Sequence, residues 1–208
     1  MRGSDLTPDL IRVAYHQGWF PMEDESLGEV EWYAPYERAL FPISGVHVSH
    51  SLRRILNQAP FEIRYDSDFV AVMEHCRRPG ENWIGPNIQR CYNQIHQAGW
   101  GHSVECWQDG QLVGGLYGVA IGGCFSAESM FHRVTDASKV ALWAGVERAR
   151  TCGFTLFDAQ VMNPHLERMG AFELSHADYL KRLSLAKDIV TRPWPLGLGV
   201  PTGRPPLP

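Results

Sequence analysis

No stretch of this sequence is apolar for long enough to cross a bilayer. Its opening, MRGSDLTPDLIRVAYHQGWFP, lacks the hydrophobic run of a signal peptide. The expectation is a soluble, cytoplasmic protein with no membrane partner. A basic excess is also missing: 19 Lys and Arg stand against 23 Asp and Glu, for a net charge of −4. No global positive field therefore advertises nucleic acid, and any RNA contact must come from a local patch. There is no C-x-x-C pair, and the five cysteines (Cys76, Cys91, Cys106, Cys124 and Cys152) are odd in number and scattered. That excludes a disulfide framework and predicts reduced, buried thiols. His96 and His102 are too loosely spaced to suggest zinc, so no metal is expected. Internal repeats are absent.

What is present suits one ordinary domain with a small lobe in front. The 208 residues are 44% hydrophobic and 20% charged. Residues 8–18 predict a helix, with Leu10, Ile11, Ala14 and Tyr15 at helical spacing and Gly18 as its stop. The acidic stretch that follows, WFPMEDESLGEVEWYAP, reads as a solvated loop pinned by Trp19, Phe20, Trp32 and Tyr33. The small lobe is placed at 1–35, a larger domain at 36–192, and a Pro/Gly-rich tail, extended or disordered, at 193–208. In the larger domain HVSHSLRRIL predicts a serine-capped helix, FEIRYD a strand, and SDFVAVMEHCRR and IQRCYNQIHQAG two amphipathic helices. Between the helices a loop carries Trp83. Then HSVECWQ, QLVGGLYGVAI and CFSAESMF read as three strands joined by DG and GG, strong hairpin signals. A capped helix from DASK to Gly153, the strand FTLFDAQV, the short helix NPHLERMG and a last strand AFELS complete the order.

Helix, antiparallel meander, helix, strand, helix, strand predicts an α+β fold with a mixed, mostly antiparallel sheet. Acyltransferases that bind acyl-coenzyme A are built this way, and they hold pyrophosphate with a glycine-rich loop opening a helix. Here that segment is HRVTDASK, which has no glycine. Within FDAQVMN, Asp158 and Gln160 lie two residues apart and so point to one face of a core strand. A carboxylate and a carboxamide there are costly unless used or satisfied. Either they form a catalytic pair, or Asp158 caps the following turn and Gln160 is satisfied locally.

The segments AYHQGWFPM, WYAPYERALFPI, NWIGPNI, AGWGHSVECW, QLVGGLYGVAIGGCFSAESMF, DASKVAL and FDAQVMNPHLERMGAFE resemble the leucyl/phenylalanyl-tRNA–protein transferase family. The resemblance runs from about Leu6 to about Leu185. It implies an acetyltransferase-like (GNAT) larger lobe and an enzyme that moves leucine or phenylalanine, with methionine a further candidate, from aminoacyl-tRNA to proteins with N-terminal Arg or Lys. Such transfer marks proteins for bacterial N-end-rule degradation. It needs no cofactor, and nothing suggests more than a monomer. Carried over residue by residue, the resemblance makes Asp158 and Gln160 catalytic: Asp158 would accept a hydrogen bond from the Gln160 amide, so that the Gln160 oxygen draws a proton from the attacking amine. Glu128 would bind the acceptor. Met22, Trp83, Leu116, Met130 and Phe157 would form the aminoacyl pocket, Asn163 would anchor the turn after the catalytic strand, and Arg53 and Arg54 would contact tRNA phosphates. Met22 stands where the family usually has tryptophan, Gly145 and Ala149 replace bulkier residues, and Phe157 is larger than usual, which predicts a rebuilt pocket. Two alternatives stay open: a small-molecule N-acyltransferase using acyl-coenzyme A, and a non-catalytic module that binds aminoacyl-tRNA or N-degrons.

Overall fold

The computed structural model describes residues 1–78 and 83–194, and the backbone of 197–198. Helix α1 (Pro8–His16) opens on Thr7, whose hydroxyl accepts from Leu10 N at 3.3 Å, and buries Ile11, Ala14 and Tyr15. The acidic stretch behind it is not a loop. It forms an antiparallel hairpin, β1 (Phe20–Asp24) and β2 (Glu29–Tyr33). Its charges hide the strand pattern, because one of them works inside the fold. Glu23 is buried, and its carboxylate accepts from Ile88 N (2.9 Å) and Asn87 Nδ2 (2.7 Å) at the start of α4 (Pro86–Gln97). That helix has Gly85 at its N-cap and no side-chain cap of its own, so Glu23 supplies the negative charge its N-terminus favours.

Strand β3 (Glu37–Phe41), which the sequence reading does not anticipate, precedes α2 (His50–Gln58), β4 (Glu62–Tyr65) and α3 (Phe69–Cys76). Ser49 caps α2 and Asp68 caps α3. The meander follows as β5 (Gly101–Gln108), β6 (Gln111–Ile121) and β7 (Cys124–His132). Asp109 and Gly110, with φ of 51° and 73°, make the first turn left-handed at both central positions, as a tight hairpin requires. Helix α5 (Ala137–Cys152) begins at Asp136, which makes no side-chain cap and instead pairs with Lys139 at 2.6 Å. Then come β8 (Leu156–Gln160), α6 (Pro164–Arg168), β9 (Phe172–Ser175), α7 (His176–Ala186) and β10 (Gly197–Leu198). Helix α7 is also unanticipated, although a serine cap at Ser175 and the spacing of Tyr179, Leu183 and Ala186 are there to be read. The expected tail returns to the body at Trp194, which stacks on Phe125 and His102, and at β10, which pairs with β4. Residues 195–196 and 199–208 of that segment lie outside the described residues.

The expected α+β class and mixed, mostly antiparallel sheet are present. The large sheet has the order β10-β4-β5-β6-β7-β8-β3-β9, and among the described strands only β7 and β8 run parallel. Helices α2 and α5 cover one face, with Leu52, Leu56, Val140 and Ala144 packed on Val104, Leu116 and Phe125. Helices α1, α3 and α4 cover the other, over Tyr117, Val119 and Phe131. All five cysteines are buried and unpaired.

Two irregularities place the site. Opposite β6 the register of β7 passes from Ala127 to Ser129, so Glu128 is an extra residue. Opposite β3 the register of β8 passes from Asp158 to Gln160, so Ala159 is extra. Such bulges bend a strand and re-aim its side chains. The first depends on Gly118, where an added Cβ would collide with the Ser126 carbonyl oxygen and approach the Phe125 ring to 2.8 Å. Gly118→Ala should therefore destabilise the fold by about 1–3 kcal/mol in denaturant melts. A change within a few tenths would mean that the β6–β7 contact can relax.

Candidate active site

Strands β7 and β8 pair only as far as Ser126 and Asp158, then part. A cavity of about 580 Å³ opens where they separate. Asp158 stands at its root, fully buried. Its carboxylate accepts from Arg38 Nε (2.9 Å) and Nη2 (2.7 Å), Tyr179 Oη (2.8 Å), the Gln160 backbone N–H (2.8 Å) and, at longer range, Ser126 Oγ (3.4 Å). Arg38 is itself buried, donates to the Gly18 carbonyl at 3.0 Å and lies over the rings of Phe20 and Tyr179. Burial alone would lower the pKa of this guanidinium, but the charge and hydrogen bonds of Asp158 reverse that, so Arg38 stays firmly protonated. The sequence signal for Arg38 is an arginine directly before the apolar run Ala39–Phe41, all three of which are core.

The bond from the Gln160 backbone to Asp158 fixes how the two residues meet. Gln160 has φ of +64°, a left-handed conformation rare outside glycine, and Asp158 holds it there. The expected bond from the Gln160 side chain to Asp158 is not made. The bulge at Ala159 and the turned backbone break the strict alternation behind that expectation, and the Gln160 carboxamide donates instead to Glu128 Oε2 at 3.0 Å. Glu128 also accepts from Tyr15 (2.6 Å, to Oε1) and Tyr92 (3.2 Å, to Oε2), whose hydroxyls lie 2.7 Å apart. Tyr15 and Tyr92 come from α1 and α4 and carry no sequence pattern that separates them from ordinary core tyrosines. With its amide nitrogen committed to a carboxylate, Gln160 has a carbonyl oxygen that accepts no hydrogen bond among the described residues, and the side chain lies on the cavity wall.

Burial raises the Glu128 carboxyl to about 7; the nearby Asp158 charge adds to the rise, while the hydrogen bonds from Tyr15 and Gln160 and the Arg38 charge oppose it. Of the expected pocket residues, Met22, Trp83 and Met130 line the cavity, joined by Phe41, Leu142 and Leu166. Leu116 and Phe157 do not; both are fully buried in the core between the sheet and α5. Gly145 and Ala149 also face that core, and Leu116 fills the space beside Gly145, so these small residues do not enlarge the cavity. Asn163 lies on the wall and caps α6, accepting from the backbones of His165 (2.9 Å) and Leu166 (3.0 Å). Arg53 and Arg54 are exposed on α2, away from the cavity lining. A Ser138–His132 pair also lines the wall, but at 3.4 Å and with no described carboxylate orienting the imidazole, so it lacks the geometry of an activated nucleophile. The arrangement can therefore accept a proton or hydrogen bond at a fixed carbonyl oxygen, beside a carboxylate, in a cavity that mixes apolar side chains with polar ones such as Arg78, Ser129 and His165.

Native Glu128 keeps its proton to about pH 7, whereas the unfolded chain releases it near 4.3. The native state thus holds more protons between those values, and its stability falls as pH rises through that window, levelling off above it. Glu128→Gln removes this dependence. Its unfolding free energy relative to wild type should rise by about 2–3 kcal/mol between pH 5 and pH 8. A difference that does not change with pH would show that Glu128 ionises like an exposed carboxylate.

The profile described as leucyl/phenylalanyl-tRNA protein transferase matches residues 40–184, and that of the same enzyme's N-terminal domain matches residues 4–35. Curated proteins named leucyl/phenylalanyl-tRNA–protein transferase are similar over most of their length. The one from Salinibacter ruber is 46% identical over 92% of this chain and 85% of its own. That from Akkermansia muciniphila is 47% identical over 87% and 96%, and that from Herpetosiphon aurantiacus 46% identical over 86% and 93%. Among solved structures, a GCN5-related N-acetyltransferase-like protein from Streptococcus suis aligns with a TM-score of 0.32 at 15% identity, over 80% of this chain and 64% of that one. A likeness at that level carries no functional weight. The long, collinear match to named transferases does: this chain belongs to the leucyl/phenylalanyl-tRNA–protein transferase family.

Proposed function

We propose that the protein is an aminoacyl-tRNA–protein transferase that moves leucine, and phenylalanine beside it, onto the α-amine of proteins beginning with Arg or Lys, and so marks them for N-end-rule degradation. The observation that carries this reading is the Gln160 carboxamide, pinned through its nitrogen by Glu128, with an oxygen on the cavity wall that accepts no hydrogen bond among the described residues. An aminoacyl ester is already activated, and its conversion to an amide runs downhill. The enzyme has to align amine and carbonyl, receive a hydrogen bond as the amine attacks, and exclude water. The aminoacyl side chain rests among Met22, Trp83, Met130 and Leu142. The amine donates to the Gln160 oxygen, which the adjoining Glu128 carboxylate polarises. The new N–C bond forms as the ester C–O bond breaks, and the amine proton ends on the departing ribose oxygen. Asp158 acts one step behind, holding Gln160 in its turned conformation. Glu128 is the only carboxylate residue among the described cavity-lining residues, which suits an acceptor with a cationic first side chain.

Transfer from leucyl-tRNA to an Arg-initiated peptide tests the reading directly. Gln160→Met keeps the volume and removes the acceptor oxygen, so kcat should fall roughly 100-fold with charged-tRNA affinity unchanged. Wild-type turnover in that variant would remove Gln160 from the chemistry. Absence of transfer by the wild-type protein, with charged tRNA still bound, would favour a non-catalytic module.

The tRNA itself is assigned to Arg53 and Arg54, exposed side by side on α2. Replacing both with alanine should flatten the salt dependence of tRNA binding by roughly two units, close to one per phosphate contact. A slope identical to wild type would place the RNA on another surface.

A further inference from the structure

Four consecutive residues of β7, Ala127, Glu128, Ser129 and Met130, line the cavity, and His132 follows. Successive side chains of a strand point to opposite faces of the sheet, so a cavity lying on one face would meet only every second residue. Glu128 is the bulged residue, but Ser129 and Met130 beyond it pair regularly with Tyr117 and Leu116 and still both line the cavity, so the cavity lies against the edge of the strand, beside its backbone. The strand pairing agrees. Strand β6 pairs with β7 on one side along its whole length, while β8 pairs on the other side only as far as Ser126. Beyond that point no described backbone group bonds to the free side of β7. The wall therefore offers N–H and C=O groups at strand spacing, and the group that satisfies such an edge is another extended amide chain. A tRNA 3′ end has no such backbone.

We propose that the acceptor polypeptide binds here as an added strand on the free edge of β7. This deepens the transferase reading and rests on it. Direction follows from the chemistry. The acceptor amine must meet the Gln160 oxygen, which lies beside Glu128 at the near end of the free edge. The acceptor then runs toward His132, parallel to β7. From Glu128 to His132 the edge extends about 13 Å, room for roughly four acceptor residues. The mode is indifferent to side chains after the first residue, because backbone groups make the contacts, and it demands an N-terminus free to extend.

The test is a scan of an Arg-initiated hexapeptide in which the amide nitrogens of residues 2 to 5 are methylated one at a time, with leucyl-tRNA as donor. A second series replaces the same amides by esters, which removes the N–H with little added bulk. In a parallel pair only alternate residues of the added strand point their N–H and C=O toward β7. Both series should lose kcat/KM about fivefold or more at alternate positions and stay within twofold at the positions between. Alanine substitutions of the same side chains should cost less than twofold. Uniform tolerance of every methyl and ester, with the unmodified peptide still a good acceptor, would overturn the added strand and leave the transferase reading intact. A loss from methylation that esters do not reproduce would also overturn it, since that is crowding and not a lost hydrogen bond. Failure of the unmodified peptide as an acceptor would remove both.

Discussion

Asp158 gathers donors from four directions into a volume that water does not reach. Arg38 comes from β3, Tyr179 from α7, Ser126 from β7 and the Gln160 amide from β8 itself. A buried carboxylate is tolerable only with a partner of this kind, and removing one member of such a pair typically costs about 3–5 kcal/mol. Arg38 in turn holds the Gly18 carbonyl, just after α1, so the same contact ties the N-terminal residues to the root of the cavity. Both members are sealed, and neither lines the cavity. Their effect on chemistry is indirect: they fix the backbone that presents Gln160.

A second buried carboxylate repeats the logic one strand away, with a different balance. Among the described residues Glu128 meets three neutral donors and no direct cationic partner, so burial dominates and its proton is held to near neutrality. The two carboxylates are therefore not equivalent, although both are enclosed. One is paired directly with a buried guanidinium; the other sits near its titration point where substrate would arrive. The bulges at Glu128 and Ala159 make this possible, because regular strands would alternate away from each other at the positions where Glu128 and Gln160 now touch.

Local sequence determined the α+β order, the meander with its DG and GG turns, and a serine cap on the helix of HVSHSLRRIL. These follow from periodicity, turn chemistry and capping, which act within a few residues of chain. The hairpin of β1 and β2 escaped because Glu23 looks like a solvated charge until the start of α4 is brought against it. Arg38 escaped because one arginine in an apolar strand says nothing about which carboxylate awaits it, 120 residues away.

The motifs by themselves named Asp158, Gln160, Glu128, Met22, Trp83 and Met130 as neighbours of one site, and the chain does bring them around one point. Only the tertiary structure decided how they meet. It gave the Gln160 side chain to Glu128 and its backbone to Asp158, and put Leu116, Phe157, Gly145 and Ala149 in the core instead of on the wall. The reason is that side-chain direction along a strand follows from sequence only while the strand stays regular. An extra residue or a left-handed φ resets it, and both depend on what the neighbouring strands and helices press against.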